Sequence, residues 1–273
     1  MKKKNLKSTK KVLFKEIFYK GKMLRIAVNV RDSGEDLIVF IHGLGCTKDI
    51  YSRAFQMYTL SKYSLLAFDL IGYGNSENPS DFSYALEDQA GMAQELLKQF
   101  RFSKVHIVAH SLGGVIGVLL AEKIGEQMGT FVSIEGTLSN RESSLIRKRV
   151  MEVTYKEFKN IVFRELKNKF SVASDKGSQS WARWSEKADP QVFYKTVKLS
   201  EQLLQGDTIL CKFQTLPCKK VYIYGEENYR RKAYILDRLR NVLIISIPRS
   251  NHFVMNDNPQ DFYEQLSRVI SQT

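Results

Sequence analysis

The chain has 273 residues, of which 43% are hydrophobic, and it carries a formal net charge of +13 at neutral pH. This length suits one large domain or one domain with an insertion, and the apolar content is sufficient for a sizeable core. No run of about 18 apolar residues occurs, so no transmembrane helix is expected. The basic start lacks a long apolar segment and a small-residue cleavage site, which favours a retained arm over a signal peptide.

The positive charge is concentrated in two segments. Residues 1–15 carry seven Lys and no acidic residue, and residues 141–220 carry 17 basic and 9 acidic residues. They match no nucleic-acid-binding motif, so no nucleic-acid partner is expected. The preferred interpretation of this excess of positive charge is a solvated surface. The alternatives are attraction to an anionic substrate and weak contact between the lysine-rich N terminus and an anionic membrane. Three widely spaced cysteines, Cys46, Cys211 and Cys218, form no zinc pattern and favour a reduced, cytoplasmic location.

The order of elements predicts an α/β fold. Residues 12–19 and 23–30 flank the turn KGK and predict an antiparallel hairpin. Short apolar runs, typical of buried parallel strands, follow at 37–42, 64–69, 104–110, 130–135, 220–225 and 242–248. Helical patterns separate most of them, at 50–61, 85–100, 112–126, 229–239 and 259–271. This alternation predicts a mostly parallel, doubly wound sheet with helices on both faces.

The interval 137–216 breaks the alternation, because it is too long for a simple loop between two strands. Its helical patterns predict a helical cap inserted into a core formed by residues 1–136 and 217–273. Eight apolar cap residues are candidates for a substrate cleft, although most are expected to pack inside the cap. They are Phe158, Ile161, Val162, Phe163, Trp181, Trp184, Phe193 and Leu203.

The stretch VAHSLGG, residues 108–114, lies between a predicted strand and a predicted helix. A sharp turn at Ser111 requires small residues two positions before and after it, and Ala109 and Gly113 occupy these positions. The turn exposes the Ser111 hydroxyl above the sheet and places the Leu112 N–H at a helix N terminus, where an oxyanion is favoured. Ser111 is therefore a candidate nucleophile, and a capping serine at an ordinary junction is the alternative.

Two loops supply partners for this serine. In HGLG, glycines permit close backbone approach to a ligand, so the Leu44 N–H is a candidate second oxyanion donor, while His42 is expected to be structural. In SNHF, His252 follows the last predicted strand, from where an imidazole reaches a serine above the sheet, and it is the candidate general base. His106 is expected in the core, and His110 is expected to point away from the serine.

The motifs HGLG (42–45), FDLIGYGNS (68–76), AHSLGG (109–114) and SNHF (250–253) resemble, in this order, those of the α/β-hydrolase fold family. The resemblance covers nearly the whole chain. It implies an oxyanion loop, a structural turn containing Asp69, a nucleophile and a base, and hence a serine hydrolase that cleaves a carboxylic ester through an acyl-enzyme. It implies a small acyl substrate and no metal or organic cofactor.

The acidic member of the triad is less clear. Many members of the family carry it after the penultimate strand, where this chain has Asn228, with Glu226 and Glu227 as nearby candidates. Some relatives, including certain haloalkane dehalogenases, carry it after the strand that follows the nucleophile, where this chain has Glu135. Because an unpaired carboxylate that closes a buried strand is costly, Glu135 is preferred. A salt bridge to a cap arginine is the alternative role for Glu135.

The same catalytic parts serve several reactions, so thioesterase, C–C bond hydrolase, lactonase and cofactor-free peroxidase activities stay open. A serine at position 111 argues against dehalogenase and epoxide hydrolase chemistry, for which relatives use an aspartate. A non-catalytic homologue that binds a small molecule and a signalling partner is a further alternative, and it rests on the amide at position 228.

Overall fold

An eight-stranded sheet forms the centre of the computed structural model, which describes residues 12–142 and 144–272. The strands are β1 Leu13–Tyr19, β2 Lys22–Arg31, β3 Leu37–Ile41, β4 Ser64–Phe68, β5 Val105–His110, β6 Met128–Ile134, β7 Lys219–Gly225 and β8 Leu243–Ile247. Their order is β1-β2-β4-β3-β5-β6-β7-β8. The pairs β1–β2 and β2–β4 are antiparallel and the other neighbours are parallel, which confirms the predicted hairpin and sheet.

Helices cover the sheet and fill the interval between β6 and β7. They are α1 Leu86–Leu97, α2 Gly113–Ile124, α3 Leu145–Met151, α4 Tyr155–Glu157, α5 Phe163–Ser171, α6 Lys176–Trp184, α7 Pro190–Leu204, α8 Thr208–Thr215, α9 Tyr229–Leu236, α10 Val254–Asp257 and α11 Pro259–Ser271. A π-helical turn, Phe158–Val162, joins α4 to α5. Within the described ranges, no helix is long and apolar enough to cross a bilayer.

Two local predictions are wrong. The helix predicted over 50–61 is a pair of 3-10 segments, Lys48–Gln56 and Tyr58–Leu60, because Met57 between them has an extended backbone. The run over 242–248 is predicted as a fully buried strand, whereas β8 lies at the sheet edge with Leu243 and Ile244 exposed. An edge strand keeps one side open to solvent, which its apolar sequence alone does not indicate. The lysine-rich residues 1–11 lie outside the described ranges, so their contact with a membrane stays a prediction.

The central strands β3 to β6 are buried along their whole length, as continuous apolar runs predict for a sheet covered on both faces. Helix α8 belongs to this covering layer, since the Phe213 ring lies 5.4 Å from the ring of Phe131 in β6. Residues of α3, α5, α6 and α7 line one cavity with Ser111, which follows β5, and the stacked rings of Phe158 and Phe193 lie in the core of this helical part. The exact core and cap boundaries stay a prediction.

The two ends of the cap segment are tied together. The Ser139 hydroxyl, just after β6, donates a hydrogen bond to one carboxylate oxygen of Asp207, which lies just before α8. The Tyr234 hydroxyl on α9 donates to the other Asp207 oxygen at 2.8 Å. Both junctions of the cap are thus joined to each other and to the core.

His106 occupies the core, as the sequence predicts, and its imidazole is 2% exposed. The Thr130 N–H donates to its Nδ1 at 3.0 Å. Burial lowers the pKa of His106 to about 4, against a smaller opposing effect of Asp36. Below about pH 6.5 the unfolded chain therefore binds a proton at His106, whereas the folded protein binds it only at lower pH.

We expect this histidine to contribute to acid destabilisation. Between about pH 6.5 and pH 4 the unfolded state binds the extra proton, so the free energy of unfolding should fall by roughly 3 kcal/mol on account of His106. The variant His106→Gln should show a shallower fall over the same window. Urea unfolding at several pH values measures this difference, and parallel pH curves for the two proteins would contradict it.

Candidate active site

Ser111 occupies a strained turn between β5 and α2. Its φ of +53° lies in the left-handed region, which costs energy for a residue with a side chain. The Ser111 N–H donates to the Ile134 carbonyl at 2.9 Å, and the Ser111 carbonyl accepts from Gly114 at 2.9 Å and from Thr137 at 3.0 Å. These bonds to β6, α2 and the segment after β6 hold the turn in place.

Small residues permit the close packing around this turn. A Cβ on Gly113 would lie 2.4 Å from the His42 carbonyl oxygen, so only glycine lets α2 begin this close to the loop after β3. A Cβ on Gly117, one turn along α2, would lie 3.0 Å from the Cβ of Ala109. The absence of a side chain at position 117 makes room for the Ala109 methyl, which explains how alanine is accepted where the family pattern has glycine.

The loop after β3 packs directly against the serine. A Cβ on Gly43 would lie 3.0 Å from the Ser111 Cβ. The Trp181 Nε1–H of α6 donates to the Leu44 carbonyl at 2.8 Å and so fixes the peptide plane of the loop. Leu44 and Leu112 line the same cavity as Ser111, and neither backbone N–H donates a hydrogen bond to any other described residue. Both amides are therefore available to an oxygen atom placed beside the serine.

His42 takes the structural role predicted for it. The ring is fully buried, its Nδ1–H donates to the Gly43 carbonyl at 2.8 Å, and its Nε2 accepts from the Leu70 N–H at 3.0 Å. Burial lowers the pKa of His42, so this hydrogen-bonding pattern belongs to a neutral imidazole. Asp69 likewise holds the next turn, since it accepts hydrogen bonds from the backbone of Lys48 and of Asn75.

Glu135, directly after β6, lies next to His252. The distance from Glu135 Oε2 to His252 Nδ1 is 3.3 Å, and the carboxylate is completely buried. The other oxygen, Oε1, accepts from the Gly225 N–H at 2.8 Å. Glu226 and Glu227, the other sequence candidates, are exposed on the surface. The structure thus brings Glu135 to His252, and not to a cap arginine.

Ser111 and His252 line one cavity, but no hydrogen bond joins the Ser111 hydroxyl to the imidazole. In enzymes without substrate, hydrogen bonds between catalytic groups are often long and shorten when the substrate binds. The arrangement is therefore compatible with proton transfer between these two side chains.

Asn228, at the position where the family usually has its acid, supports the Glu135 carboxylate. Its Nδ2 donates to Glu135 Oε2 at 2.6 Å, and the side chain is 3% exposed. The ends of β6 and β7 are adjacent in the sheet, so a carboxylate from one and an amide from the other reach the same point. At position 228 this chain thus has an amide instead of the family's usual acid, and the carboxylate, Glu135, comes from the neighbouring strand.

A buried ion-pair network lies beneath this carboxylate, and the sequence did not reveal it. Lys232 Nζ on α9 donates to Glu142 Oε2 at 2.7 Å and to the Glu135 carbonyl at 2.9 Å, and it lies 3.7 Å from Glu135 Oε2. Glu142 in turn accepts from the backbone of Leu138 and of Ser139.

The network sets the charge states of its members. Burial raises the pKa of Glu135, but the hydrogen bond with His252 and the charge of Lys232 outweigh burial, so the pKa lies below its usual value. Burial lowers the pKa of Lys232, and the charges of Glu142 and Glu135 more than reverse this effect. Both groups are therefore charged at neutral pH. As a carboxylate, Glu135 can accept a hydrogen bond from an imidazole N–H.

His110 holds the loop that carries the candidate base. Its Nε2 lies 2.9 Å from the His252 carbonyl oxygen, and the two imidazole rings are 4.7 Å apart. Burial lowers the pKa of His110 well below its usual value, so a neutral ring donates this hydrogen bond. The sequence predicts only that His110 points away from the serine, and it gives no sign of this contact.

The cavity above Ser111 has a volume of about 410 Å³, within the range of small-molecule sites. Of the eight cap residues proposed for the cleft, only Trp181 lines it. Phe158, Val162, Phe163 and Phe193 are buried inside the cap, because its helices turn these side chains towards one another. Beside Trp181, the apolar residues that the cap contributes to the cavity include Leu145, Ile146, Phe170, Val197 and Leu204.

Comparison with known proteins identifies the family of this chain. A sequence model of the alpha/beta hydrolase fold matches residues 36–257. The chain belongs to the α/β-hydrolase fold family. Two solved structures resemble it in fold over nearly their whole length. An esterase from Exiguobacterium antarcticum has a TM-score of 0.75 and 15% identity, and the match covers 91% of this chain and 96% of that one. A bromoperoxidase from Bacillus anthracis has a TM-score of 0.77 and 12% identity, and the match covers 96% of this chain and 100% of that one.

Curated relatives of this α/β-hydrolase match it over different lengths. The probable lysophospholipase BODYGUARD 1 of Arabidopsis thaliana is 35% identical over 97 residues, which cover 34% of this chain and 21% of the relative. Lipase 3 of Moraxella sp. is 25% identical over 248 residues, which cover 87% of this chain and 75% of the relative. The chain therefore spans only a minor part of the plant relatives that it matches.

We expect Lys232 to be essential for stability. The variant Lys232→Met leaves Glu135 and Glu142 buried without their shared cation, so the free energy of unfolding should fall by about 3–5 kcal/mol. Lys212→Met removes an exposed pair with Glu122 and should cost at most about 1 kcal/mol.

Urea unfolding of these variants tests the network. The double variant Lys232→Met/Glu142→Gln should recover part of the loss, because it also removes one of the unpaired carboxylates. If Lys232→Met were as stable as the Lys212→Met control, the network would not have the importance assigned to it.

Proposed function

We propose that this chain is a serine hydrolase that cleaves a carboxylic ester of a small acyl substrate through an acyl-enzyme on Ser111. The observation that carries the proposal is the contact of 3.3 Å between Glu135 and His252 beside the cavity that contains Ser111. Nucleophile, base and acid then come from the ends of β5, β8 and β6, and two free backbone amides lie beside the nucleophile. A strained serine together with these groups is the arrangement that acyl transfer requires.

In the first half of the reaction, His252 Nε2 takes the proton of the Ser111 hydroxyl while Oγ attacks the carbonyl carbon of the ester. The Leu44 and Leu112 N–H groups donate to the oxyanion that forms. Glu135 accepts the His252 Nδ1–H, which orients the ring and stabilises the imidazolium. When the C–O bond breaks, His252 gives its proton to the departing alcohol, and an acyl-serine remains.

In the second half, water replaces the alcohol. His252 takes a proton from the water as its oxygen attacks the acyl carbon, and the same two amides bind the second oxyanion. Breakdown of this intermediate releases the carboxylic acid, and the proton returns from His252 to Ser111. Each step uses a side chain or a backbone amide of the chain itself.

The names of the relatives support ester cleavage. The matching proteins include lipases from Moraxella and Psychrobacter, putative esterase/lipases from two Mycoplasma species, and probable lysophospholipases from Arabidopsis. Each of these names denotes hydrolysis of a carboxylic ester. The apolar cavity wall, which includes Phe170, Val197 and Leu204, suits the acyl part of such a substrate.

The alternative of a non-catalytic binding protein rested on the amide at position 228. Because Asn228 donates to a carboxylate that itself contacts His252, this departure no longer argues for an idle site. Thioester, lactone and C–C bond substrates would use the same steps, and they are distinguished from esters by assay.

Replacement of the nucleophile tests the proposal. Ser111→Ala should lower kcat/KM for 4-nitrophenyl acetate and butyrate by at least about 10³-fold, and it should abolish labelling by a fluorophosphonate probe. Ser174→Ala, which removes another hydroxyl that lines the cavity, is the matched control and should keep both properties. Equal rates for wild type and Ser111→Ala would end the proposal.

Replacement of the acid tests its assignment. Glu135→Gln keeps the shape of the side chain but removes the charge that stabilises the imidazolium, so kcat/KM should fall by roughly 10⁴-fold. Glu226→Gln and Glu227→Gln change exposed carboxylates and should leave kcat/KM unchanged. Thermal unfolding establishes that Glu135→Gln is folded at the assay temperature. Full activity of that variant would show that another group acts as the acid.

A further inference from the structure

Four cations line the wall of the cavity: Arg147, Lys169, Arg231 and Lys232. Their environments differ. Lys232 is 6% exposed and belongs to the buried network with Glu142. A neutral ester does not require so many positive charges around it. The contacts that each of the other three cations makes within the protein therefore decide which of them are available to a charged substrate.

Arg147 is occupied within the protein. Its guanidinium donates to the carbonyl oxygens of Asn140 and Glu142, and its Nε lies 3.6 Å from Glu201 Oε2. It therefore fixes the start of the cap segment and has few donors left for a ligand.

Lys169 and Arg231 are not occupied. Neither side chain makes a hydrogen bond, an ion pair or an aromatic contact with any other residue in the described ranges, although both line the cavity. The wall also contains two carboxylates: Glu142 pairs with Lys232, and Asp175 caps α6 by accepting the Ser178 N–H at 2.6 Å. The cavity thus offers two cations that form no ion pair with a carboxylate of residues 12–142 or 144–272.

We infer that the ester hydrolysed at Ser111 carries a carboxylate or a phosphate group, and that Lys169 and Arg231 bind it. This inference rests on the proposed function and specifies its substrate class. Arginine matches the geometry of both anions with paired N–H donors, and lysine adds a point charge. The apolar wall binds the carbon chain of the same molecule, so the substrate is amphipathic.

Charge at the cavity acts over a short range. Exposed charges are screened over about 10 Å at ordinary salt, so the excess of basic residues elsewhere in the cap contributes little to binding. Lys169 and Arg231 differ from that excess because they lie in the wall that the substrate touches. Added salt should therefore weaken selection of the anionic ester only in part, through screening of these two exposed groups.

The test measures how this chain, with residues 1–273, hydrolyses a set of matched esters. The 4-nitrophenyl monoester of glutaric acid carries a terminal carboxylate, and the ester of glutaramic acid carries an uncharged amide in its place. The ester of 4-phosphonobutanoic acid supplies the phosphate-like anion. We expect kcat/KM to be at least about tenfold higher for one of the anionic esters than for the amide, and the two anionic arms show which group is preferred.

Substitutions identify the residues responsible. Arg231→Gln and Lys169→Gln should each reduce the preference, and the double variant should abolish it while kcat/KM for the amide ester is unchanged. Arg230→Gln and Lys167→Gln are the matched controls, because each changes the same residue type close by but does not line the cavity. Both controls should keep the wild-type preference.

Two results would overturn the inference, and they are distinguishable from each other. Hydrolysis of the amide ester at a rate equal to that of both anionic esters, or a preference that survives the double variant, contradicts the assignment of Lys169 and Arg231 and leaves the proposed function in place. Absence of hydrolysis of every ester, together with no labelling of Ser111 by a fluorophosphonate, refutes the proposed function and this inference with it.

Discussion

The site is organised around one buried carboxylate. Glu135 is completely removed from solvent, and an isolated charge in such a place would be prohibitively expensive. Its two oxygens receive the Gly225 amide, the Asn228 amide group and the His252 ring, and the Lys232 ammonium lies nearby. Each partner comes from a different place in the chain after β7 begins. The carboxylate therefore draws β6, β7, α9 and the last loop to one point and fixes the imidazole there.

Besides the buried charge of Glu135, the fold stabilises two residues with a strained backbone. Ser111 and Glu135 both have positive φ, at +53° and +50°, although neither is glycine. They end adjacent parallel strands, and a hydrogen bond from Ser111 to Ile134 links the two turns. Strain of this kind persists only where surrounding contacts define the backbone closely. Under the proposed function, this strain belongs to the two turns that hold the nucleophile and the acid near the same imidazole.

What the sequence predicted depended on local chemistry. The turn at Ser111 requires small neighbours, and a carboxylate at the end of a buried strand requires a partner, so Ser111 and Glu135 could be singled out as candidates without coordinates. Lys232 could not, because its partner Glu142 is 90 positions away and a lysine within a basic chain resembles a solvated one. The cavity wall was also unpredictable, since the faces that the cap helices turn inwards depend on their mutual packing. Aromatic residues such as Phe193 stabilise the cap instead of contacting a ligand.

The ties at both junctions of the cap restrict how this protein can admit a ligand. At one junction Glu142 binds Lys232 next to Glu135, and at the other Asp207 binds Ser139 and Tyr234. A hinge rotation of the whole cap would break both sets of bonds and would expose buried charge beside His252. A ligand that enters without such a rotation leaves the floor of the cavity, where Lys232 pairs with Glu142, unchanged.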